Sequence, residues 1–321
     1  MSEFLSPAEI AERLNLNRTT VYALIRRGEL PSSKVGKQVR VAQADLDAYI
    51  GSKKVGSLPA GAEARQESRP EPPADVNRTS FRRDARDTII VAGQDPCLEL
   101  LFAKAASARR RGSPTLLRSY LGSYNGLVAM YTGRTTASAA NMWDAETDTY
   151  NTPYIKRLLP GVPVGVLRLV GRQQGLFVRA GNPKNIAQWS DLTNPDVTVV
   201  TRERGSGTRI LLDQKLRQLG IEPSAIAGYE REETSHLAVV GAVAKGAADV
   251  GFGCESASRT AVGVDFVPLQ LEWYDFVFRL SDAQRPMMRV MLDYAGSDAF
   301  REDIAAIGAY DVSQTGKYVE M

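Results

Sequence analysis

Residues 198–220 run Thr198-Val199-Val200-Thr201, then Arg202-Glu203-Arg204-Gly205-Ser206-Gly207-Thr208, then Arg209 through Gly220. The first four are largely β-branched and read as the end of a buried strand. The middle seven form a polar turn with two glycines close together. From Arg209 to Leu219 the apolar positions Ile210, Leu211, Leu212, Leu216 and Leu219 fit a helix that stops at Gly220. A Gly-Ser-Gly-Thr turn opening a helix presents backbone N–H groups, hydroxyls and the positive end of the helix dipole. Such a turn suits a small anion or a carboxylate. It also suits a plain capped helix whose Ser and Thr satisfy only their own backbone, and the tetrapeptide alone does not separate the two.

Repetition separates them. Outward from this stretch, the chain from Thr88 alternates strand-like and helix-like segments, the pattern of a layered α/β domain. Ile89-Ile90-Val91-Ala92 reads as a buried strand, Gly93-Gln94-Asp95-Pro96 as a turn, and Leu98–Ala108 as a helix. Gly122-Ser123-Tyr124-Asn125-Gly126 is a second glycine-framed hydroxyl at a helix start. Thr234-Ser235-His236 is a third, before Val239, Val240 and Val243. Gly253-Cys254-Glu255-Ser256 is a fourth polar turn, following Ala248-Asp249-Val250-Gly251. An open α/β sheet gathers such turns at its ligand crevice.

The amino-terminal stretch has another character. Ser6-Pro7 caps a helix lined by Ala8, Ile10, Ala11 and Leu14. Asn17 caps a second helix, Arg18 to Arg27, ending at Gly28. Lys34-Val35 and Val39-Arg40-Val41 form a hairpin around Gly36-Lys37, and a last helix carries Leu46, Tyr49 and Ile50. Two short helices joined by a tight turn are a helix-turn-helix pattern. The 321-residue chain has a net charge of +3, and all of it sits in residues 1–54, which hold nine Lys and Arg against six Asp and Glu. That confinement points to this module for any nucleic-acid contact. Between the two regions, residues 55–86 are rich in Gly, Ser, Pro and mixed charge with few apolar residues, and are expected to be a flexible linker.

Composition excludes several classes. Cys97 and Cys254 are isolated and His236 is the single histidine, which argues against a zinc finger or a His-rich metal centre. No G-x-S-x-G, Walker A or G-x-G-x-x-G pattern is present, and no acid–base pair stands out, so an enzyme is not expected. The start lacks a secretory signal and no apolar run approaches the roughly 20 residues of a membrane span. A cytoplasmic protein without membrane contact is expected.

Residues 4–50 resemble the excisionase-type winged helix-turn-helix, through Leu5-Ser6-Pro7-Ala8-Glu9-Ile10-Ala11, Thr20-Val21-Tyr22, Ile25-Arg26-Arg27-Gly28-Glu29-Leu30-Pro31, Val35-Gly36, Val39-Arg40 and Asp45-Leu46. The resemblance implies duplex DNA as partner. The second helix would enter the major groove, with Asn17, Arg18, Thr19, Thr20 and Tyr22 near base edges and phosphates. Arg26, Arg27, Lys34, Lys37 and Arg40 would hold the backbone. A homodimer or higher homo-oligomer is expected, since one such module reads few base pairs.

Residues 87–321 resemble the class II periplasmic-binding-protein fold, in the branch related to molybdate- and tungstate-binding proteins. The motifs are Gly122–Leu127, Tyr150-Asn151-Thr152-Pro153-Tyr154, Gln173-Gln174-Gly175-Leu176, Gly181-Asn182-Pro183, Arg204–Arg209, Ala247–Gly251, Tyr274-Asp275 and Gly308-Ala309-Tyr310-Asp311. The resemblance implies two lobes, chain crossings near Leu169–Gly175 and Leu269–Tyr274, and a ligand in the cleft. It departs at Ala140-Asn141-Met142-Trp143-Asp144, where relatives place a histidine.

Carried over, the cleft residues are Gln94, Asp95, Ser123, Tyr124, Arg204, Ser206, Gly207, Thr208, Thr234, Ser235, His236 and Glu255. Ser123, Ser206, Thr208 and adjoining N–H groups would donate to anion oxygens, and Arg204 would supply charge. The Ser123 and Ser206 hydroxyls are expected to face water when no ligand is bound. Arg209 is expected to pair with a structural carboxylate, and Trp143, Trp189 and Trp273 to pack. The reading is a one-component transcription regulator sensing molybdate or tungstate, with no other cofactor. The alternatives are a sensor of a small organic or phosphorylated anion and a solute-binding component of a transport system.

Overall fold

In the computed structural model, residues 4–14, 17–26, 28–35, 38–52, 88–259 and 261–321 are described. The expected linker, 55–86, lies outside them, as do Arg27 and Lys37 and the side chain of Lys34. The chain divides into two compact units whose boundary falls inside that linker.

In the first unit, Ser6 and Glu9 form a capping box: the Ser6 hydroxyl accepts from the Glu9 N–H while the Glu9 carboxylate accepts from the Ser6 N–H at 2.7 Å. This starts helix Pro7–Arg13. Asn17 Oδ1 accepts from the Thr20 N–H at 2.8 Å and opens helix Arg18–Arg26. Gly28 follows in the left-handed region, φ 73°. Strands β1 (Phe4–Leu5), β2 (Ser33–Val35) and β3 (Gln38–Ala42) form one antiparallel sheet in the order β1-β3-β2. The hairpin foreseen at 34–41 thus gains a third strand from residues too few to show periodicity. Leu5, Ile10, Val21, Leu24, Leu30, Val41 and Leu46 make the core, closed by helix Gln43–Ser52.

The second unit is built on one sheet. Its strands are β4 (Thr88–Ala92), β5 (Thr115–Ser119), β6 (Ala137–Ala140), β9 (Val164–Arg179), β10 (Val199–Arg202), β11 (Glu232–Glu233), β12 (Val250–Cys254), β13 (Val264–Arg279), β14 (Tyr310–Asp311) and β15 (Tyr318–Glu320). A separate hairpin pairs β7 (Trp143–Asp144) with β8 (Thr149–Tyr150). The main order is β11-β10-β12-β9-β13-β6-β4-β5, with β14 and β15 also on β9.

Strands β9 and β13 explain the architecture. Each has 16 residues and they pair antiparallel along their whole length. At roughly 3.3 Å per residue this is about 50 Å, enough to run through two cores. Val164–Arg179 is almost continuously buried, as expected of a strand covered on both faces. One half of β13 pairs with β6 and one half of β9 with β12, so these strands are the two crossings expected near Leu169–Gly175 and Leu269–Tyr274. The first lobe packs helices Cys97–Ser107, Ser123–Tyr131, Pro286–Ala295 and Asp298–Ile307 around β4, β5 and β6. The second packs Gly207–Leu219 and His236–Ala244 on opposite faces of β10 and β12. Trp143 and Trp189 pack in this second lobe, and the Arg168 guanidinium lies over the Trp273 ring.

Candidate functional site

The amino-terminal unit offers a basic helix surface. Arg18, Thr19, Tyr22 and Arg26 are exposed along helix Arg18–Arg26, at spacings that bring them to one side of it. Val21 and Leu24 are buried on the other. Asn17 and Thr20 are occupied in the helix cap, where Thr20 also donates its hydroxyl to Asn17 Oδ1 at 2.7 Å. Arg40, half-buried, donates to Gln38. Arg13, which the sequence did not single out, donates to Gln43 at 2.6 Å.

In the second unit, strand-to-helix turns from both lobes meet at one cavity of about 30 Å³, measured to the centre of a water molecule. Its lining brings Gly93, Gln94, Asp95, Gly122, Ser123, Asn141, Arg172 and Tyr274 together with Arg202, Ser206, Gly207, Thr208 and His236. Three helices begin there, at Ser123, Gly207 and His236. The first N–H groups of a helix have no intrahelical acceptor, so these starts aim free donors and dipole ends at the same space.

The lobes touch at its edge. The Tyr124 N–H donates to Gly205 O at 3.0 Å, Asn125 Nδ2 to Arg204 O at 3.2 Å, and Arg202 Nη2 to Gln94 Oε1 at 3.0 Å. Gly122 permits this approach: a Cβ there would stand 2.7 Å from Ser206 Cα and 2.8 Å from Gly205 O.

A charged network underlies the cavity. Arg172, on β9, donates through Nη1 to Asp95 Oδ2 at 2.6 Å and through Nη2 to Glu272 of β13. Glu272 Oε1 also accepts from Gln174 Nε2 at 2.8 Å and Oε2 from Asn141 Nδ2 at 2.8 Å. Asp95 Oδ1 accepts from the Cys97 N–H at 2.7 Å and the Tyr310 hydroxyl at 3.0 Å. Arg202 is held by both oxygens of Glu203, at 2.8 and 2.9 Å. All carboxylate oxygens around the cavity therefore already accept hydrogen bonds.

Burial opposes charge on Asp95, but the adjoining Arg172 guanidinium outweighs it and holds the carboxyl below its usual range. Burial likewise opposes charge on Arg172, and Glu272 and Asp95 outweigh it, so the guanidinium stays charged. Burial, then Arg202 and Arg172, push His236 well below the ordinary imidazole value, which leaves a neutral ring. Among the described residues, three buried side-chain atoms find no hydrogen-bond partner: Arg172 Nε, Gln174 Oε1 and His236 Nδ1. An unpaired buried donor is costly, and Arg172 lines the cavity. This arrangement can bind and orient a small anion.

The residues singled out in the sequence divide. Gln94, Asp95, Ser123, Ser206, Gly207, Thr208 and His236 line the cavity; Tyr124, Arg204, Thr234, Ser235 and Glu255 do not. Arg204 is turned outward onto Glu230 and Glu232. Glu255 pairs with Arg259, Ser235 caps helix His236–Ala244, and Thr234 O accepts from Arg202. Neither hydroxyl expected to face water does so. Ser123 Oγ donates to Asn141 Oδ1 at 2.6 Å, and Ser206 Oγ donates to Glu203 O at 2.9 Å while accepting from the Arg209 N–H at 3.2 Å. Arg209 is buried and pairs with Asp213 and Glu232. Gly253-Cys254 ends β12 rather than forming a turn.

Sequence reasoning passed over Arg172, Arg202, Asn141 and Tyr274 as lining residues. The available signal was the polar run Arg172-Gln173-Gln174 in the middle of a largely apolar strand. Among the described residues no group of His, Cys, Asp and Glu is placed to hold a metal ion, and no helix is long and apolar enough to cross a membrane.

Comparison with known proteins agrees with this division. A helix-turn-helix domain model matches residues 4–54 and a PBP superfamily domain model matches residues 105–296; both describe binding domains. The chain is 35% identical over 311 residues to the uncharacterized protein YvgK of Bacillus subtilis (strain 168), covering 97% of this chain and 96% of that one. It is 44% identical over 110 residues, 34% of this chain, to an uncharacterized protein in the ferredoxin 2Fe-2S gene 5' region of Clostridium pasteurianum, 97% of which is covered. Among solved structures, a putative phosphate ABC transporter substrate-binding protein with bound phosphate from Clostridium perfringens aligns over 70% of this chain and all of that one. The TM-score is 0.51 at 14% identity, a likeness of fold alone. The chain thus belongs to the PBP superfamily, and it carries a helix-turn-helix domain ahead of its two-lobed binding domain.

Proposed function

We propose that the protein is a one-component transcription regulator, in which the helix-turn-helix module binds duplex DNA and the two-lobed domain senses a small, fully ionised oxyanion. One observation carries the ligand reading. Three helix starts meet at one small cavity that Arg172 also lines and whose surrounding carboxylates are already hydrogen-bonded. Donors are available there and acceptors are scarce. The cavity is also small. Adding the ~1.4 Å radius of water to its 30 Å³ puts the walls roughly 3.3 Å from the middle, the span of one tetrahedral oxyanion.

Molybdate or tungstate is the proposed ligand. Both are tetrahedral and carry no proton near neutral pH, so they ask only for donors. A small organic or phosphorylated anion is the alternative ligand. A transport component is the alternative role, and the DNA-binding module argues against it. Ligand binding favours the conformation in which the lobes meet, and the regulator acts as a homodimer reading two half-sites in the compartment that holds the DNA.

A thermal-shift panel on the full chain tests the ligand. At a hundredfold excess over its dissociation constant, a ligand adds about 2.7 kcal/mol, roughly 5–10 °C in Tm for a domain of this size. Tungstate and molybdate should give that shift. A shift with an organic acid or a nucleotide and none with any oxyanion would reassign the ligand.

A further inference from the structure

His236 is the chain's only histidine, and it opens helix His236–Ala244 at the cavity wall. Its Nδ1 is buried beside β12, where a Cβ on Gly253 would stand 2.6 Å away, and has no hydrogen-bond partner. No described residue hydrogen-bonds to Nε2 either. A neutral imidazole offers one donor and one acceptor, and here the protein uses neither.

The charges around the cavity are short of cations. Two lining guanidinium groups face three carboxylates, since Arg172 is held by Asp95 and Glu272 and Arg202 by Glu203. A divalent oxyanion deepens that deficit, and three helix starts, each worth about half a positive charge, offset only part of it. Binding is therefore favoured if a proton enters with the anion. The carboxylates are poor receivers because each is tied to a guanidinium. Tyr274 already holds its proton, with burial as the main cause, which leaves His236 as the lining group able to gain one. Helix His236–Ala244 packs on β9 to β13 and on helix Glu255–Ser258. Of the titratable groups there, Glu232 pairs with Arg209, Glu255 with Arg259 and Glu272 with Arg172, and burial keeps the Cys254 thiol protonated. Neither these nor Glu233 acts on the ring, which responds to burial, then Arg202 and Arg172. An anion seated beside those guanidinium groups offsets their charge and attracts an imidazolium, both of whose nitrogens donate.

We propose that oxyanion binding brings one proton from solvent onto His236, so that the imidazolium becomes part of the anion site and the sensor responds to pH as well as to its ligand. This rests on the reading of the cavity as an oxyanion site. The proton comes from water or buffer, not from the ligand, and the ring nitrogen that carries no hydrogen receives it. The complex then holds one proton more than the free chain, so affinity rises as pH falls.

Calorimetric titration of the full chain at pH 7 with tungstate, molybdate and selenate, in two buffers of different ionisation enthalpy, counts the protons. With the tightest-bound of the three, wild type should take up at least about 0.5 proton per anion, and its affinity should rise at least about twofold from pH 8 to pH 7. His236→Gln should take up fewer than about 0.2, bind at least about fivefold more weakly at pH 7 and lose the pH dependence. Because His236 is the only histidine, nitrogen NMR of the histidine-labelled chain reads the ring directly and needs no variant. The ring should be neutral at pH 7 without ligand and mainly imidazolium when saturated. A ring that stays neutral in the complex, or undiminished proton uptake in His236→Gln, overturns the role of His236 alone. Binding of no oxyanion by wild type brings down the site reading and this proposal with it.

Discussion

Replacing Gly122 with Ala places a wedge between the lobes. Gly122 has φ −66° and ψ 165°, which alanine adopts without strain, so the substitution acts through space alone. The added Cβ would lie 2.7 Å from Ser206 Cα, 2.8 Å from Gly205 O and 2.9 Å from Ser206 N. All three are main-chain atoms of the opposite lobe, so no side chain can rotate away. Relief requires the lobes to part by several tenths of an ångström, which also strains the Tyr124 N–H to Gly205 O bond. Overpacking of this kind costs roughly 1–3 kcal/mol. If the ligand selects the conformation in which the lobes meet, that cost falls on binding, and tungstate affinity should drop roughly 5- to 150-fold. The unliganded protein can relax by opening, so its melting temperature should move by less than about 2 °C. Calorimetric titration and thermal melting of the full chain read the two quantities. Gly241→Ala is the control: it sits in helix His236–Ala244 with nothing within 4 Å of its Cβ position, and should raise stability by about 0.5–1 kcal/mol without touching affinity. Wild-type tungstate affinity in Gly122→Ala would refute the argument. So would a loss of stability without ligand as large as the loss of binding.

Further outcomes follow from the same geometry. Ser206→Ala removes the cap of helix Gly207–Leu219, so the unliganded protein should lose about 1 kcal/mol, roughly 2–4 °C in Tm; an unchanged Tm would mean the hydroxyl serves the ligand only. His236 is neutral in the folded chain because burial, Arg202 and Arg172 lower its pKa, and it regains an ordinary value on unfolding. The unfolded state therefore binds the extra proton first, so stability is full above about pH 6.5 and falls below it by up to about 1.4 kcal/mol per pH unit. Denaturant titrations from pH 8 down to 5 should show that fall in wild type and lack it in His236→Gln.

Much of this site was legible in the sequence because helix starts announce themselves. The glycine and hydroxyl patterns at Gly122-Ser123 and Gly205–Thr208, and the helix opening at His236, each mark a strand-to-helix turn, and local chemistry decides where a helix begins. The long crossings, expected near Leu169–Gly175 and Leu269–Tyr274, were legible through the family resemblance rather than through any pattern of their own. What binds the crossings was not. Arg172 meets Asp95, 77 residues earlier, and Glu272, 100 residues later, and periodicity carries no information about such pairs. The exchange of Arg204 for Arg202 has a local cause. Strand β10 runs as far as Arg202, which keeps that side chain buried against Gln94 and Glu203. Two residues on, the turn hands Arg204 to Glu230 and Glu232. In the first unit, β1 is two residues long, too short for any alternation to show, and exists only because β3 is there to pair with it.

In the proposed regulator, an oxyanion bound between the lobes changes how tightly the helix-turn-helix module holds DNA. Fluorescence anisotropy of the full chain on duplexes enriched by that chain from a random pool, with and without saturating tungstate, measures this directly. DNA affinity should change by at least about fivefold, a coupling of roughly 1 kcal/mol, and by reciprocity tungstate affinity should change by the same factor when DNA is added. Tungstate binding that leaves DNA affinity unchanged would contradict it.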